Sequence, residues 1–262
     1  MTSNAEAEVK QMGTTNLHRP NDRGPSVTAI GLWGSSGRER LHLLTDEERT
    51  RLADISSVVR FDKGVEIYRE GDSADAIFNI IGGVVKTYKN LDDQTQHIVA
   101  FLFPEDLVGL AEEGKYVNSA EPVTAVTAYR IPVSALETQL RIDPDLEFLV
   151  ICKLCQELRE AQRHALLLTK HHAPAKIAMF VQMLENYQCA RGESLEEVYL
   201  PMRRCDIADY VGVSAEAVSR SFRALASRGA IVFRDRRHLK IVSRSCLERV
   251  AADLEPRELS HR

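Results

Sequence analysis

Glu216, Ser219 and Arg220 place a carboxylate, a hydroxyl and a guanidinium within about one helical turn, in the run EAVSR. An arginine fork matches the N7 and O6 acceptors that guanine shows in the DNA major groove, and a carboxylate accepts the N4 donor of cytosine. Residues four apart project from one helix face, so Glu216 and Arg220 could read a groove together. The same spacing also describes an i,i+4 ion pair that braces a solvated helix and is worth only a few tenths of a kcal/mol. What carries the helix decides between the two.

The surrounding stretch, DIADYVGVSAEAVSRSFRALASR over 206–228, divides into two short helical patterns around a corner. Ile207, Ala208 and Val211 make an apolar stripe that stops at Gly212, where a positive φ is needed. Ser214 then has the chemistry to cap a second helix. In that helix Ala217, Val218, Phe222 and Leu225 turn inward, leaving Glu216, Ser219, Arg220 and Arg223 outside. This describes a helix-turn-helix whose second helix carries the chemistry. Directly after it, Ile231, Val232 and Phe233 read as a strand, Asp235-Arg236-Arg237 as a turn, and Leu239, Ile241 and Val242 as a return strand, which together make a wing. Residues 203–244 hold ten Lys/Arg against four Asp/Glu, a local net of +6 in a chain of net −4, so the remainder carries −10. A basic module on an acidic protein is the footprint of one domain that meets phosphate and another that does not.

On these residues, EAVSR within a winged helix, the chain resembles the Crp/Fnr superfamily of bacterial transcription regulators, nearest its Fnr/FixK branch; the likeness runs over roughly 41–242. The resemblance implies that Glu216, Ser219 and Arg220 read a TTGA-type half-site. It also implies double-stranded DNA, a second copy of the chain and RNA polymerase as partners. Arg203, Arg204, Ser214, Arg223, Arg236, His238 and Lys240 are the candidates for phosphate contact.

The expected fold is α+β: an N-terminal β-roll of cyclic-nucleotide-binding type, a long dimerisation helix and a C-terminal winged helix-turn-helix. The 262 residues, 44% of them apolar, suffice for two cored domains. Residues 1–40 are polar and read as a flexible extension. Thr45-Asp46-Glu47-Glu48 has the capping-box order that starts a helix carrying Leu52 and Ile55. Within 41–140 the runs VVRF, VEIY, AIFNII, VVKTY, HIVAFLF and VTAYRI, separated by turns, predict the strands of the roll. A helix is predicted over 141–170. Its Ile151, Leu154, Leu158, Ala161, Ala165 and Leu168 follow coiled-coil spacing, so two copies are expected to pair in parallel there; a single amphipathic helix lying on its own roll has the same pattern. A hinge at 171–174, a helix over 176–190 and a short strand over 199–202 lead into the winged domain, whose expected limits are 171–245. Residues 246–262 read as a charged peripheral tail.

Cyclic-nucleotide relatives hold the phosphate with an Arg and a Gly-Glu pair. Here FPEDLVGLAEEGKYVNSAEPVTA has no arginine between Glu105 and Tyr129, Gly109 precedes Leu110, and five acidic residues oppose Lys115 alone. Iron–sulfur sensing needs about four thiolates near the N-terminus, whereas the first cysteine is Cys152. The reading is therefore a regulator with no cofactor and no metal. A cyclic-nucleotide-gated or haem-gated effector, with His97 or His171-His172 as axial ligand, is the alternative. Cys152 and Cys155 read as apolar fillers of a helix. Cys205, beside Arg203 and Arg204 at a helix start, is a candidate redox site, opposed by Asp206. Five scattered cysteines, no apolar run near about 18 residues and no signal-like start point to the cytoplasm and to no membrane partner. No nucleophile–base pair, metal cluster or phosphate-binding glycine loop suggests an enzyme.

Overall fold

The computed structural model describes residues 52–92, 95–191, 193 and 196–253. The expected N-terminal extension and the capping box at 45–48 lie outside the described residues. The chain forms β1 (Ser57–Phe61), β2 (Ala76–Gly82), β3 (Val85–Asp92), β4 (Thr95–Leu102), β5 (Leu107–Val108), β6 (Ala111–Glu112), β7 (Lys115–Tyr116), β8 (Ser119–Pro122) and β9 (Val126–Pro132). Two sheets, ordered β1-β9-β2-β5 and β4-β3-β8, face each other as a roll, with β6-β7 as a hairpin. Alternation builds its core: Ala76, Phe78 and Ile80 point inward from β2 and meet Val126 and Ala128 of β9, Val85 of β3 and Tyr116. Gly83 turns the chain from β2 into β3 at φ 92°, and a Cβ there would stand 2.2 Å from the carbonyl oxygen of Ala125, so no other residue fits.

Six helices follow β9 in the described residues: α1 (Val133–Ile142), α2 (Pro144–Leu168), α3 (Ala173–Ala190), α4 (Arg204–Val211), α5 (Ala215–Ser227) and α6 (Arg244–Ala251). Asp143 starts α2 by accepting the Leu146 N–H at 3.1 Å, with Pro144 in the first turn. One face of α2 packs inward through Leu146, Leu149, Cys152, Lys153, His164 and Leu167. The opposite face presents Phe148, Ile151, Leu154, Leu158 and Leu166 to solvent, with Ala161 and Ala165 also exposed. Burial pushes the Cys152 thiol up, in keeping with a filler.

The β3–β4 face turned away from the roll interior belongs to a second core. Val84, Tyr88, Ile98, Phe101 and Phe103 pack with Leu167 of α2, Ile177, Phe180, Val181 and Leu184 of α3, and Ile207, Tyr210 and Val211 of α4. Ring contacts run across this junction: Phe101 lies 5.2 Å from Tyr210, and Phe103 4.5 Å from Tyr187. The roll and the C-terminal domain thus share one apolar interior, which fixes their mutual pose along the 169–172 connection.

Four expectations are corrected. VEIY contributes no strand beyond the single bridge of Tyr68 to Ala120, because the chain turns again at Asp72. Residues 133–140, read as the end of the roll, and 141–142, read as the start of the long helix, together form the separate helix α1. Leu168 leaves the exposed stripe of α2; it is half-buried against the C-terminal core, since the helix has turned toward α3 by its last residue. Residues from Cys246 onward are not peripheral as far as Ala251: α6 buries Leu247, Val250 and Ala251 against α3. Its charged residues are the outer face of an amphipathic helix, and Ser243 caps it by accepting the Cys246 N–H at 3.3 Å.

Candidate nucleic-acid interface

The helix-turn-helix forms as its local chemistry dictates. Gly212 ends α4 at φ 67°, in the left-handed region, and its N–H reaches the Ala208 carbonyl. Ser214 caps α5 by accepting the Ala217 N–H at 3.1 Å. Val218, Phe222 and Leu225 are buried, holding α5 on α3 and α4. The outer face stays open: the side chains of Glu216 and Arg220 are 74% and 65% exposed, with Arg220 Nη1 3.3 Å from Glu216 Oε1. The i,i+4 ion pair of the second reading therefore exists in the free protein, on a face that the other described residues leave open. Ser219 is half-buried, its hydroxyl donating to the Ala215 carbonyl at 3.0 Å, and the Ser219 carbonyl accepts from Arg223 Nε at 3.3 Å.

The wing follows as β11 (Ile231–Phe233) and β12 (His238–Ile241), with β10 (Val198–Tyr199) on the outer edge of β12. Asp235 organises its turn. Its carboxylate accepts the N–H groups of Arg237 at 2.7 Å and His238 at 2.9 Å, and pairs with His238 Nδ1 at 2.9 Å. These contacts, led by the Arg237 N–H, hold its carboxyl at about 2. The turn leaves Arg236 and Lys240 exposed, while His238 is half-buried and stacks on Tyr199 at 5.1 Å.

The remaining phosphate candidates divide. Arg203, at the N-cap of α4, is exposed and fixed to Asp206 through Nε at 3.1 Å and Nη2 at 3.2 Å. Arg223 and Ser214 are exposed beside the open face of α5. Arg204 instead turns inward: its guanidinium lies 3.9 Å from the Phe222 ring and 5.3 Å from that of Phe233, joining α4, α5 and the wing, and burial lowers its pKa. Cys205 is exposed between Arg204 and Asp206.

Sequence reasoning missed the polar contacts that hold α4. Asp206 accepts the Arg203 N–H at 3.0 Å and also meets Lys86 of β3 at 3.3 Å. At the other end Lys176 Nζ donates to the Val211 carbonyl at 3.0 Å, and His164 Nε2, as the donor, meets the Tyr210 carbonyl at 2.7 Å. The Lys176 cation satisfies a free carbonyl at the helix C-terminus and complements its dipole, whereas His164 serves as an N–H donor. The signal was a lysine inside the otherwise apolar run APAKIAMFV; His164, next to Arg163 and Gln162, gave none. His164 also stacks on Tyr210 at 3.9 Å, with His97 at 6.3 Å. Burial holds His164 below the usual imidazole range, against the opposing effect of the Tyr210 carbonyl. A histidine depressed in the folded state favours folding fully above its unfolded pKa of about 6.5, and that share is lost as pH falls below it toward the folded value. The urea midpoint should therefore drop between pH 7.5 and 5.5, and less in His164→Gln; equal slopes would remove the assignment.

Between α2 and the roll lies a cavity of about 160 Å³ that includes Asp106, Glu157, Glu160, His164 and Lys153; no arginine lines it among the described residues. Lys153 is committed to Asp106 at 2.7 Å.

A cyclic nucleotide-binding domain model matches residues 58–143, and a Crp-like helix-turn-helix domain model matches residues 175–250. The chain is 33% identical over 173 residues to the nitrogen fixation regulation protein FixK of Bradyrhizobium diazoefficiens, covering 66% of this chain and 73% of that one. To the transcriptional activator protein anr of Pseudomonas aeruginosa it is 31% identical over 191 residues, covering 72% and 78%. Among solved structures, FixK2 from Bradyrhizobium japonicum superposes with a TM-score of 0.68 at 29% identity, over 75% of this chain and 97% of that one.

Proposed function

The chain belongs to the Crp/Fnr family of transcription regulators, with FixK-like relatives, and we propose that it acts as a homodimeric activator reading an inverted repeat close to TTGA, six bases, TCAA. The observation that carries this reading is the open face of α5, where Glu216 and Arg220 project from a helix-turn-helix and are largely exposed among the described residues. Two such helices related by a two-fold would enter successive major grooves about one helical turn apart. The second copy is expected on α2, whose exposed Ile151, Leu154 and Leu158 line the face opposite its packed side. RNA polymerase is the further partner and the cytoplasm the expected compartment; no helix among the described residues is long and apolar enough to cross a membrane.

Neither a cyclic nucleotide nor an iron–sulfur cluster controls it in this reading. Among the described residues that line the acidic cavity beside α2, Lys153 is the one lysine or arginine, and it is paired with Asp106. The decisive experiment selects bound DNA from a random pool, under air and under reductant. It should return the inverted repeat with its spacer; a pool without a shared half-site would remove the proposal.

The same experiment bears on Cys205, which is exposed two residues from the exposed Arg203 at the start of α4. Oxidation to sulfenate or sulfinate would add anionic character beside the groups assigned to phosphate. Peroxide should lower the DNA affinity of the wild type and leave Cys205→Ser unchanged; equal losses would rule out this cysteine as the switch.

A further inference from the structure

Lys86 stands in the middle of β3, in the run VVKTY, and its side chain is 3% exposed. It shares the outer face of the strand with Val84 and Tyr88, which belong to the interior common to the roll and the C-terminal domain. A buried ammonium must be paired. Its Nζ lies 3.2 Å from Gln96 Oε1 and 3.3 Å from Glu121 Oε1, both from neighbouring strands of the roll. Its remaining partner is Asp206 Oδ1 at 3.3 Å, on α4, and that side chain is itself only 5% exposed. Asp206 in turn grips the N–H and the guanidinium of Arg203. One carboxylate therefore joins a cation of the roll to the first turn of the helix-turn-helix.

Two features give this pair a role. It holds α4 without covering the recognition face, so it orients the module rather than blocking it. The connection between α2 and α3 is only 169–172, so a C-terminal domain released from the roll would pivot about the end of the dimerisation helix. We propose that Lys86 is a positioning residue for DNA recognition: by holding Asp206 it narrows the pose that the shared apolar interior sets between the helix-turn-helix and the roll, and thereby the separation of the two recognition helices in a dimer. This rests on the inverted-repeat reading above. Lys86 does not contribute to base reading, because no contact links it to Glu216 or Arg220. Its contribution is geometric, since the second recognition helix binds at an effective concentration that depends on how tightly its position is defined.

The test uses the full-length homodimer and competition binding to three DNAs that carry the selected half-sites with spacers of five, six and seven bases, and to a fourth with the guanine replaced. Lys86→Met should lower affinity for the six-base site by about five- to tenfold, comparable to measured couplings between contacting residues, and should shrink the ratio between the six-base site and the other two. Discrimination against the replaced guanine should stay as in wild type, and Lys86→Arg should keep the spacer ratio. Asp206→Asn should shrink the ratio too, and adding Lys86→Met to it should cost no more. An equal loss on all three spacers, with the ratio intact, would assign Lys86 to stability alone and overturn the inference. If Lys86→Met does not give a folded dimer, Lys86→Gln keeps a donor toward Asp206 and Glu121 without the charge and should give an intermediate ratio; a wild-type ratio there overturns the inference equally. A wild type without spacer preference would sink the inverted-repeat reading itself, and the inference with it.

Discussion

Arg220→Ala is expected to weaken binding to the selected site by about 1–3 kcal/mol, about 5- to 150-fold, and to relax preference at one base pair. The protein itself should be little affected. Arg220 is largely exposed and its one ion pair, with Glu216, is a surface i,i+4 contact of the kind that contributes about half a kcal/mol or less. The expected loss is therefore that of the proposed bidentate bond to guanine. Glu216, one turn earlier on the same open face, is assigned to the cytosine paired with that guanine. Both side chains then read one base pair, and the double variant should cost less than the sum of the singles. Arg223→Ala is the contrast: as a phosphate contact it should weaken binding evenly across sequences and reduce the salt slope by about 1. Full discrimination retained by Arg220→Ala in a competition assay would refute the base assignment.

The recognition helix was legible because every signal that builds it is local. A glycine at a left-handed corner, a serine at an N-cap and apolar residues at helical spacing are each read within a few positions, and Gly212, Ser214 and Phe222 do what their chemistry suggests. The alternating strands AIFNII, VVKTY and VTAYRI were legible for the same reason. What escaped depends on packing between distant segments. Lys86 lies in a strand that was legible, but its burial was not, because α4, 120 residues later, covers that face. Arg204 reads as a free cation beside DNA until the rings of Phe222 and Phe233 are brought to it. The short strands β5 to β8 lie in a loop-like, acidic stretch whose pairing is set by the roll rather than by hydrophobic alternation. The final helix hid behind its charges, since Leu247, Val250 and Ala251 are few among charged neighbours and only the α3 surface shows why they suffice.

Leu158→Glu is expected to abolish the dimer at working concentrations and tight operator binding with it. Leu158 is 60% exposed on the open face of α2, between Leu154 and Ala161, and has no inward role in the protomer. Ala161 and Ala165 would let two helices approach closely there, with Leu158 near the middle of the 25-residue helix. Each dimer would lose two buried leucines at about 2 kcal/mol apiece and would have to set two carboxylates face to face in an apolar layer. The sum is at least about 4 kcal/mol, a loss of about a thousandfold in association. Folding of the protomer should survive, because the packed face with Leu149, Cys152 and Leu167 is untouched. The released monomer should still prefer the correct half-site through Glu216 and Arg220, but without the second helix to raise its effective concentration. Sedimentation should show a monomer, and affinity for the inverted repeat should fall to that for a single half-site. An unaltered dimer would place the self-contact elsewhere on the chain and leave the exposed stripe of α2 to another partner.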